Sequence, residues 1–271
     1  MIIKTLMENS PSQNKILVNE HGLSFYIEHG ENKILFDCGA SIDTYENANK
    51  MNIAIDEITH VVLSHSHYDH AYGYVTFMDK GLKAPLYVGE KFWEEKYAKV
   101  EEKYIYLGCG FSKKVVEKHG IIIKNCIDII DLGNRSYIVG DFERRYASEK
   151  IPQRFVKQCE GKMIVDDFAD EVALVVEHEK GLVIIVGCSH PGIINILKSI
   201  SRRFNKSIYA VFGGTHLVEA DAQRIDSTMQ DMHSLGVQHV GFNHCTGERA
   251  FKENLSGIKV CSLNVGECCI I

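Results

Sequence analysis

The chain has 271 residues, of which 45% are hydrophobic and 24% are charged, close to the averages of globular proteins with a substantial core. The formal net charge of -6 argues against general binding to nucleic acid phosphates, which requires clustered lysine and arginine. No apolar run approaches the roughly 20 residues of a membrane-spanning helix, and the first residues lack the features of a secretory signal. We therefore expect a cytoplasmic protein that binds neither nucleic acid nor membrane.

The nine cysteines are scattered along the chain and include no CxxC pair. An odd number without regular spacing is not typical of a disulfide framework. The pattern predicts reduced thiols, most of them buried as small packing residues.

The first third of the chain predicts a β-meander, a helix and a buried strand. Apolar segments bounded by turn residues predict strands at Ile16–Val18, Leu23–Glu28 and Lys33–Asp37. Asp43–Met51 is predicted to be a short helix. Thr59–Leu63 is a run of apolar and β-branched residues, which is typical of a strand buried on both faces.

The last third repeats this organisation. Glu171–Glu177 and Gly181–Val186 predict a second hairpin, and helices are predicted at Gly192–Arg203 and Asp221–Leu235. Two further strands are predicted to end at Phe212 and Phe242. Two related β-rich halves with helices outside predict one α/β domain over residues 1–271, a four-layer αββα sandwich with mixed sheets.

Between the halves, residues 89–167 have a looser pattern, and we expect an insertion that caps the site. Glu90–Glu102 is a charged helix candidate and carries the one tryptophan, Trp93. The alternative is a solvated connection without a role in binding, because charge runs usually face water.

Ionisable side chains are concentrated directly after the buried strand that ends at Leu63. His65 and His67 are two residues apart on an extended segment, so their side chains fall on one side and can bind one metal ion. Asp69 and His70 follow as the chain turns into a helix, where they can serve a second ion. Packing alone does not require three histidines and an aspartate within six residues, so the cluster predicts a metal site at a strand end.

The segment His65-Ser66-His67-Tyr68-Asp69-His70 resembles the HxHxDH signature of the metallo-β-lactamase superfamily. Five further segments are similar to one subgroup, which includes archaeal dihydropterin ribofuranosylaminobenzene phosphate synthases and their bacterial, ferredoxin-like-named relatives. These segments are His21-Gly22-Leu23-Ser24, Leu35-Phe36-Asp37-Cys38-Gly39, Gly187-Cys188-Ser189-His190-Pro191-Gly192-Ile193, Gly213-Gly214-Thr215-His216-Leu217 and His244-Cys245-Thr246-Gly247. The resemblance covers residues 16–250.

The resemblance implies one metal position at His65 and His67 and a second at Asp69 and His70. A later histidine normally completes each position, and His190 and His244 are the candidates because each follows a strand end. For both, the alternative is a histidine that merely caps a helix or faces solvent.

The chain departs from the superfamily pattern at two places. No histidine lies around 166–170, where most members have their third motif, so His190 is expected to substitute from another loop. Cys188 stands where most members have a bridging aspartate. It could bind metal as a thiolate, or it could be a small buried residue that leaves one metal position weak, and the sequence favours the second interpretation.

A centre rich in imidazole suits one or two divalent ions, with zinc first and iron or manganese as alternatives. Such a centre makes water acidic enough to attack at neutral pH, so hydrolysis is the expected reaction. Asp69 is a candidate general base if one ion acts alone. His216 is a further candidate, as a ligand or as a catalytic group that binds substrate or stabilises charge.

The substrate is expected to be a small molecule, since guanidinium groups in the cap match phosphate oxygens. Arg144, Arg145 and Arg154, with Lys157 nearby, are the candidate substrate-binding residues. A phosphate-bearing compound or a phosphodiester is favoured. The alternatives are a lactone or thioester hydrolase and a non-catalytic module that binds a metal or metabolite. The segment from Cys261 to Ile271 could be a final core strand or a homodimer contact.

Overall fold

The computed structural model describes residues 1–146, 148–252 and 257–271. Within these ranges the chain forms strands that pair into three sheets. In chain order the strands are β1 (Ile2–Met7), β2 (Ser24–His29), β3 (Asn32–Phe36), β4 (His60–Val62), β5 (Leu86–Gly89), β6 (Lys96–Val100), β7 (Lys103–Tyr106), β8 (Ile123–Cys126), β9 (Ile129–Asp131), β10 (Ser136–Val139), β11 (Phe155–Cys159), β12 (Lys162–Val165), β13 (Ala173–His178), β14 (Gly181–Val186), β15 (Ile208–Gly213), β16 (His239–Phe242), β17 (Lys259–Val260) and β18 (Cys268–Ile270).

The α-helices lie mainly between the strands of the two larger sheets. They are α1 (Asp43–Lys50), α2 (Tyr68–Ala71), α3 (Tyr74–Asp79), α4 (Lys113–Lys118), α5 (Ile193–Phe204), α6 (Ala222–Ser234) and α7 (Glu248–Lys252). In the part of the chain that the structure describes, none of the helices is long and apolar enough to cross a bilayer.

Two seven-stranded sheets form the centre of the molecule. The first has the order β18-β1-β2-β3-β4-β5-β8, and the second has the order β17-β16-β15-β14-β13-β10-β9. Each combines antiparallel hairpins, such as β2 with β3 and β13 with β14, with parallel pairs, such as β3 with β4 and β14 with β15.

Three buried apolar clusters define four layers. Phe25 and Phe36 of the first sheet pack against Leu174 and Phe212 of the second. Helices α1 and α3 cover the outer face of the first sheet, and α5 and α6 cover that of the second. The predicted αββα sandwich with mixed sheets is therefore confirmed, because each sheet has one face toward the other and one face toward helices.

Most of the locally patterned elements agree with the prediction. The hairpin β13–β14 and helices α1, α5 and α6 lie within one or two residues of their predicted bounds. All nine cysteines are free thiols and six of them are buried, as predicted. The C-terminal strand β18 pairs with β1 at the edge of the first sheet.

The predicted strand at Ile16–Val18 is wrong. This segment belongs to a loop in which side chains replace the ladder of a sheet. The amide of Ile16 donates to Asn14 Oδ1 at 3.2 Å, and the amide of Val18 donates to Asn47 Oδ1 at 3.0 Å. Asparagine side chains compete with secondary structure in this way.

The predicted helix at Glu90–Glu102 is also wrong, because β6 occupies Lys96–Val100. This strand pairs with β7 and with the distant β11, in a third sheet of order β12-β11-β6-β7 that lies within the expected insertion at 89–167. Charged composition indicated a helix, but pairing across more than 50 residues decided the structure. Trp93 packs edge to face against Phe92 and Phe111.

A buried ion-pair network joins the third sheet to the rest of the molecule. Lys96 Nζ lies 2.6 Å from Asp170 Oδ1 and 2.9 Å from Asp166 Oδ2, and all three residues are about 99% buried. Burial alone would lower the pKa of Lys96, but the two carboxylates outweigh it and raise that pKa. The lysine is therefore charged in the folded state.

We expect Lys96→Met to lower the free energy of unfolding by about 3–5 kcal/mol, since removing one member of a buried pair leaves uncompensated charge. Urea denaturation followed by circular dichroism measures this change. The matched control is Lys99→Met, an exposed lysine on the same strand, which should change stability by less than about 0.5 kcal/mol. Equal effects of the two variants would contradict the structural role of the network.

Candidate metal centre

Three histidine side chains converge at the carboxyl ends of the central strands. His65 and His67 follow β4, and His190 follows β14. One ligand nitrogen from each lies within 4.8 Å of the others, and all three residues are buried. Loops after neighbouring strands meet at one edge of a layered α/β fold, so residues distant in sequence come together there.

Each of these histidines has at least one ring nitrogen without a partner among the described residues. Among the described residues, His65 Nε2, His67 Nε2 and both ring nitrogens of His190 are buried without a hydrogen-bond partner. Burial holds the pKa of all three imidazoles well below the usual range, so they are neutral and keep a free lone pair. Buried polar atoms are rarely left unpaired, and converging neutral imidazoles fit a divalent metal ion.

A second group of possible ligands lies beside the first. Asp69 Oδ2 lies 3.3 Å from His244 Nε2 and 3.8 Å from His70 Nε2, and the two histidine nitrogens are 3.2 Å apart. Asp69 also lies 3.1 Å from Nε2 of the exposed His21. The structure therefore brings Asp69, His70 and His244 together. The exposed His21 lies at the edge of this second group.

Asp37 determines which nitrogen of His70 faces this group. Its Oδ2 lies 2.7 Å from His70 Nδ1, and its two oxygens also accept from the amide and hydroxyl of Ser64. A carboxylate on one ring nitrogen orients the other toward a metal. Burial lowers the pKa of His70, but the charges of Asp37 and Asp69 outweigh it and raise the pKa to about 9.

Cys188 lies between the two groups. Its sulfur is 3.1 Å from His70 Nε2, and it also belongs to a group with His65 and His70 whose ligand atoms lie within 4.8 Å of one another. Burial raises the pKa of its thiol well above the usual value, so without a metal this residue is a neutral thiol. Its sulfur thus lies within reach of ligand atoms of both groups.

The loop that carries Cys188 and His190 is held by the buried Glu171. The Glu171 carboxylate accepts from the amides of Ser189 and His190 at 2.6 and 2.9 Å. Burial raises the pKa of Glu171 to about 8. Gly187 allows this loop to lie close to Ser64, which directly precedes His65. A Cβ at position 187 would lie 2.1 Å from Ser64 Oγ.

Asp69 is ionised in this environment. Burial alone would raise its pKa, but the charge of His70 and hydrogen bonds from His21 and His244 hold the pKa well below the usual range. An ionised carboxylate in this position can bind a metal ion, and the general-base role of Asp69 stays a prediction.

A cavity of about 380 Å³ opens over both groups. His67, Asp69, His190 and His244 line its floor. The rest of its lining comes from residues within 89–167, from α2 and from the loops after β1, β14, β15 and β16. These residues are Asn9, His21, Tyr68, Ala98, Leu107, Arg154, Phe155, Cys188, His216, Val218, Glu219 and Cys245.

Two further residues of the predicted site, Arg154 and His216, line this cavity. Arg154 lies over the Phe155 ring at 4.4 Å and donates to the Glu219 carboxylate, with one contact at 2.7 Å. The His216 ring centre lies 4.6 Å from that of His190, and burial lowers the pKa of His216. Both side chains are close enough to the floor to contact a bound molecule.

The other predicted cationic residues lie elsewhere. Arg144 lines a separate cavity with Asp166 and Asp167, and Arg145 is exposed and forms an ion pair with Glu143. Lys157 is buried and pairs with Glu94 and Asp167. Of the four cap cations, the structure brings only Arg154 to the main cavity.

Sequence reasoning missed several residues of the site. His21 belongs to a segment that resembles the subgroup, but a single histidine in a loop gave no signal of its own. Glu171 is a charge at the start of an apolar strand, a position that could have indicated a buried structural carboxylate. Glu219 gave no signal, because an exposed acidic residue is ordinary.

Comparisons with known proteins agree with the fold and the motif. The model of the metallo-beta-lactamase superfamily matches residues 18–141. The 7,8-dihydropterin-6-methyl-4-(beta-D-ribofuranosyl)-aminobenzene-5'-phosphate synthase of Methanocaldococcus jannaschii is 34% identical over 260 residues, which cover 92% of this chain and 88% of that protein.

Solved structures extend this likeness over the whole chain. Tm1679, described as a metal-dependent hydrolase of the beta-lactamase superfamily, has a TM-score of 0.85 and 32% identity and covers 100% of this chain and 99% of its own. Zn²⁺-bound PqqB from Methylobacterium extorquens has a TM-score of 0.60 with 11% identity, covers 100% of both chains, and shares the fold alone. With its HxHxDH cluster and its two packed mixed sheets, the chain belongs to the metallo-beta-lactamase superfamily.

Proposed function

We propose that the protein is a metal-dependent hydrolase that acts on a small molecule with an anionic group, such as a phosphate ester or phosphodiester. The observation that carries this proposal is the floor of the main cavity. There, buried histidine nitrogens without protein partners lie beside an ionised aspartate and open toward a space of about 380 Å³. A site for a metal ion thus faces a site for a small molecule.

His65, His67 and His190 would hold one ion, and Asp69, His70 and His244 would hold a second. Imidazole, carboxylate and a nearby thiol suit zinc, which we propose as the metal. A divalent ion bound there would polarise the substrate and make water acidic enough to attack near neutral pH. Glu171 and Asp37 keep the ligand loops in position through their hydrogen bonds.

Arg154 is the group of this chain that we propose binds the anionic part of the substrate. Its guanidinium carries two donors suited to phosphate oxygens, and in the structure those donors face the Glu219 carboxylate. The name of the synthase relative from M. jannaschii contains a 5'-phosphate, which is compatible with this preference. His216, whose ring centre lies 4.6 Å from that of His190, would stabilise charge on the reacting group.

A lactone or thioester substrate is the second candidate, and the apolar part of the cavity wall favours it. Ala98, Leu107 and Val218 line the cavity and would fit an acyl chain. A panel of a phosphomonoester, a phosphodiester, a lactone and a thioester, each offered to zinc-loaded protein, separates the two candidates. Ligand binding without turnover of any of the four would favour a non-catalytic module over a hydrolase.

We expect His190→Ala to bind about one zinc equivalent less than the wild-type protein, because two protein ligands are fewer than the three or four of known zinc sites. Mass spectrometry of dialysed, zinc-loaded protein measures this content. His119→Ala is the control, since His119 follows the end of α4 and contacts Asp79. If His190→Ala retains the wild-type zinc content, His190 is not a ligand.

We expect Arg154→Ala to raise KM for bis(p-nitrophenyl) phosphate about 10- to 100-fold, the effect of losing a charge-assisted contact of about 1.5–3 kcal/mol. Steady-state kinetics of zinc-loaded protein measure it. Arg145→Ala is the matched control, because this arginine pairs with Glu143 outside the cavity, and it should be unchanged. The double variant Arg154→Ala/Glu219→Ala removes the carboxylate as well. Recovery of the wild-type KM there would show that Arg154 acts only by neutralising Glu219, contrary to the proposal.

A further inference from the structure

A second buried thiol, that of Cys245, lies beside the group formed by Asp69, His70 and His244. Cys245 follows His244 in a short helical turn, His244–Thr246, and its side chain is buried. Its sulfur lies within 4.8 Å of the ligand atoms of both Cys188 and His244. Cys188 Sγ is 3.1 Å from His70 Nε2, and His70 Nε2 is 3.2 Å from His244 Nε2, so His70 borders the group formed by Cys188, His244 and Cys245.

The surroundings of Cys245 hold its sulfur in place. The amide of His216 donates to Cys245 Sγ at 3.3 Å, and the thiol donates to the Cys188 carbonyl oxygen at 3.6 Å. Gly214 leaves room for the sulfur, because a Cβ there would lie 2.6 Å from Cys245 Sγ. Cys245 Sγ is thus fixed within reach of the ligand atoms of Cys188 and His244.

The loops that carry these residues are held in unusual backbone conformations. Ser189, His216 and His244 have φ values of 62°, 50° and 52°, in the left-handed region that residues other than glycine rarely adopt. Such strain concentrates at functional sites, where the surrounding structure imposes it. Each of these residues either neighbours one of the two cysteines in sequence or donates to its sulfur.

We propose that the second metal position of this chain is a sulfur-rich site held by His70, His244, Cys188 and Cys245, with Asp69 at its border. As the two metal–sulfur bonds form, two S–H bonds break and two protons leave to solvent. Two thiolates and two imidazoles make a set typical of tetrahedral zinc, and soft thiolates select against manganese and magnesium. The inference rests on the proposed function only for the presence of a metal and needs no turnover.

Cobalt(II) titration of reduced, metal-free protein tests the proposal. Thiolate ligands give cobalt a near-ultraviolet charge-transfer absorption whose intensity follows the number of cobalt–sulfur bonds. We expect Cys245→Ser to lose about half of this absorption and to bind the second cobalt equivalent at least about tenfold more weakly, as loss of metal-site partners does.

The matched control is Cys109→Ser. Cys109 is a buried free thiol that donates to the Phe111 carbonyl oxygen and lies outside the group, so the absorption should be unchanged. Unaltered absorption in Cys245→Ser would overturn the proposal. So would an equal loss in the control.

X-ray absorption spectroscopy of wild-type protein with two zinc equivalents provides a test that needs no variant. We expect an average of about one sulfur neighbour per zinc at roughly 2.3 Å, since two sulfurs are shared between two ions. Half that number would leave Cys188 as the sole thiolate and overturn the role of Cys245. Sulfur ligation without turnover of any ester would overturn the hydrolase proposal alone, whereas turnover without sulfur ligation would overturn this inference alone.

Discussion

The burial of imidazole nitrogens without protein partners is the constraint on which the rest of the site depends. His65, His67 and His190 are held neutral below and at the floor of a cavity that His67 and His190 line, and among the described residues His65 Nε2, His67 Nε2 and both His190 nitrogens have no hydrogen-bond partner. A polar group buried without a partner costs about 1–3 kcal/mol, so three of them at one place require compensation. This set of donors fits a metal ion, which would compensate for the missing hydrogen bonds. The surrounding loops hold the nitrogens close to one another.

Three buried carboxylates hold those loops, each in a different way. Asp37 binds the amide and hydroxyl of Ser64 and orients His70. Asp170 accepts from the amide of Ser66, which lies between the first two histidines, and is neutralised by Lys96 of the third sheet. Glu171 accepts from two amides of the loop that carries His190. The loops of His67 and His190 are thus held by backbone contacts, whereas His70 is oriented through its Nδ1, and in each case a ring nitrogen remains for the site.

The third sheet contacts both the histidine group and the cavity wall. Lys96 of this sheet lies over the Phe168 ring, 4.4 Å from its centroid, and Phe168 stacks on His190 at a centroid distance of 3.9 Å. From the same sheet, Phe155 contacts His190, and Arg154 lies over the Phe155 ring at the cavity wall. A change in how this sheet packs would therefore alter both the position of His190 and that of Arg154, the proposed anion-binding group.

Local pattern by itself determined the layered fold, the hairpin β13–β14, helices α1, α5 and α6, and the cluster from His65 to His70. These features depend on neighbours within a few residues, so the hydrophobic period and the polar residues that follow a strand predict them directly. Only the tertiary structure decided that β6 is a strand, that His190 joins His65 and His67, and that Arg154 reaches the cavity while Arg145 does not. It also decided that Cys245 and Glu171 lie at the site. These outcomes depend on contacts between residues about 20 to more than 100 positions apart, which pairing and packing set and no local pattern encodes.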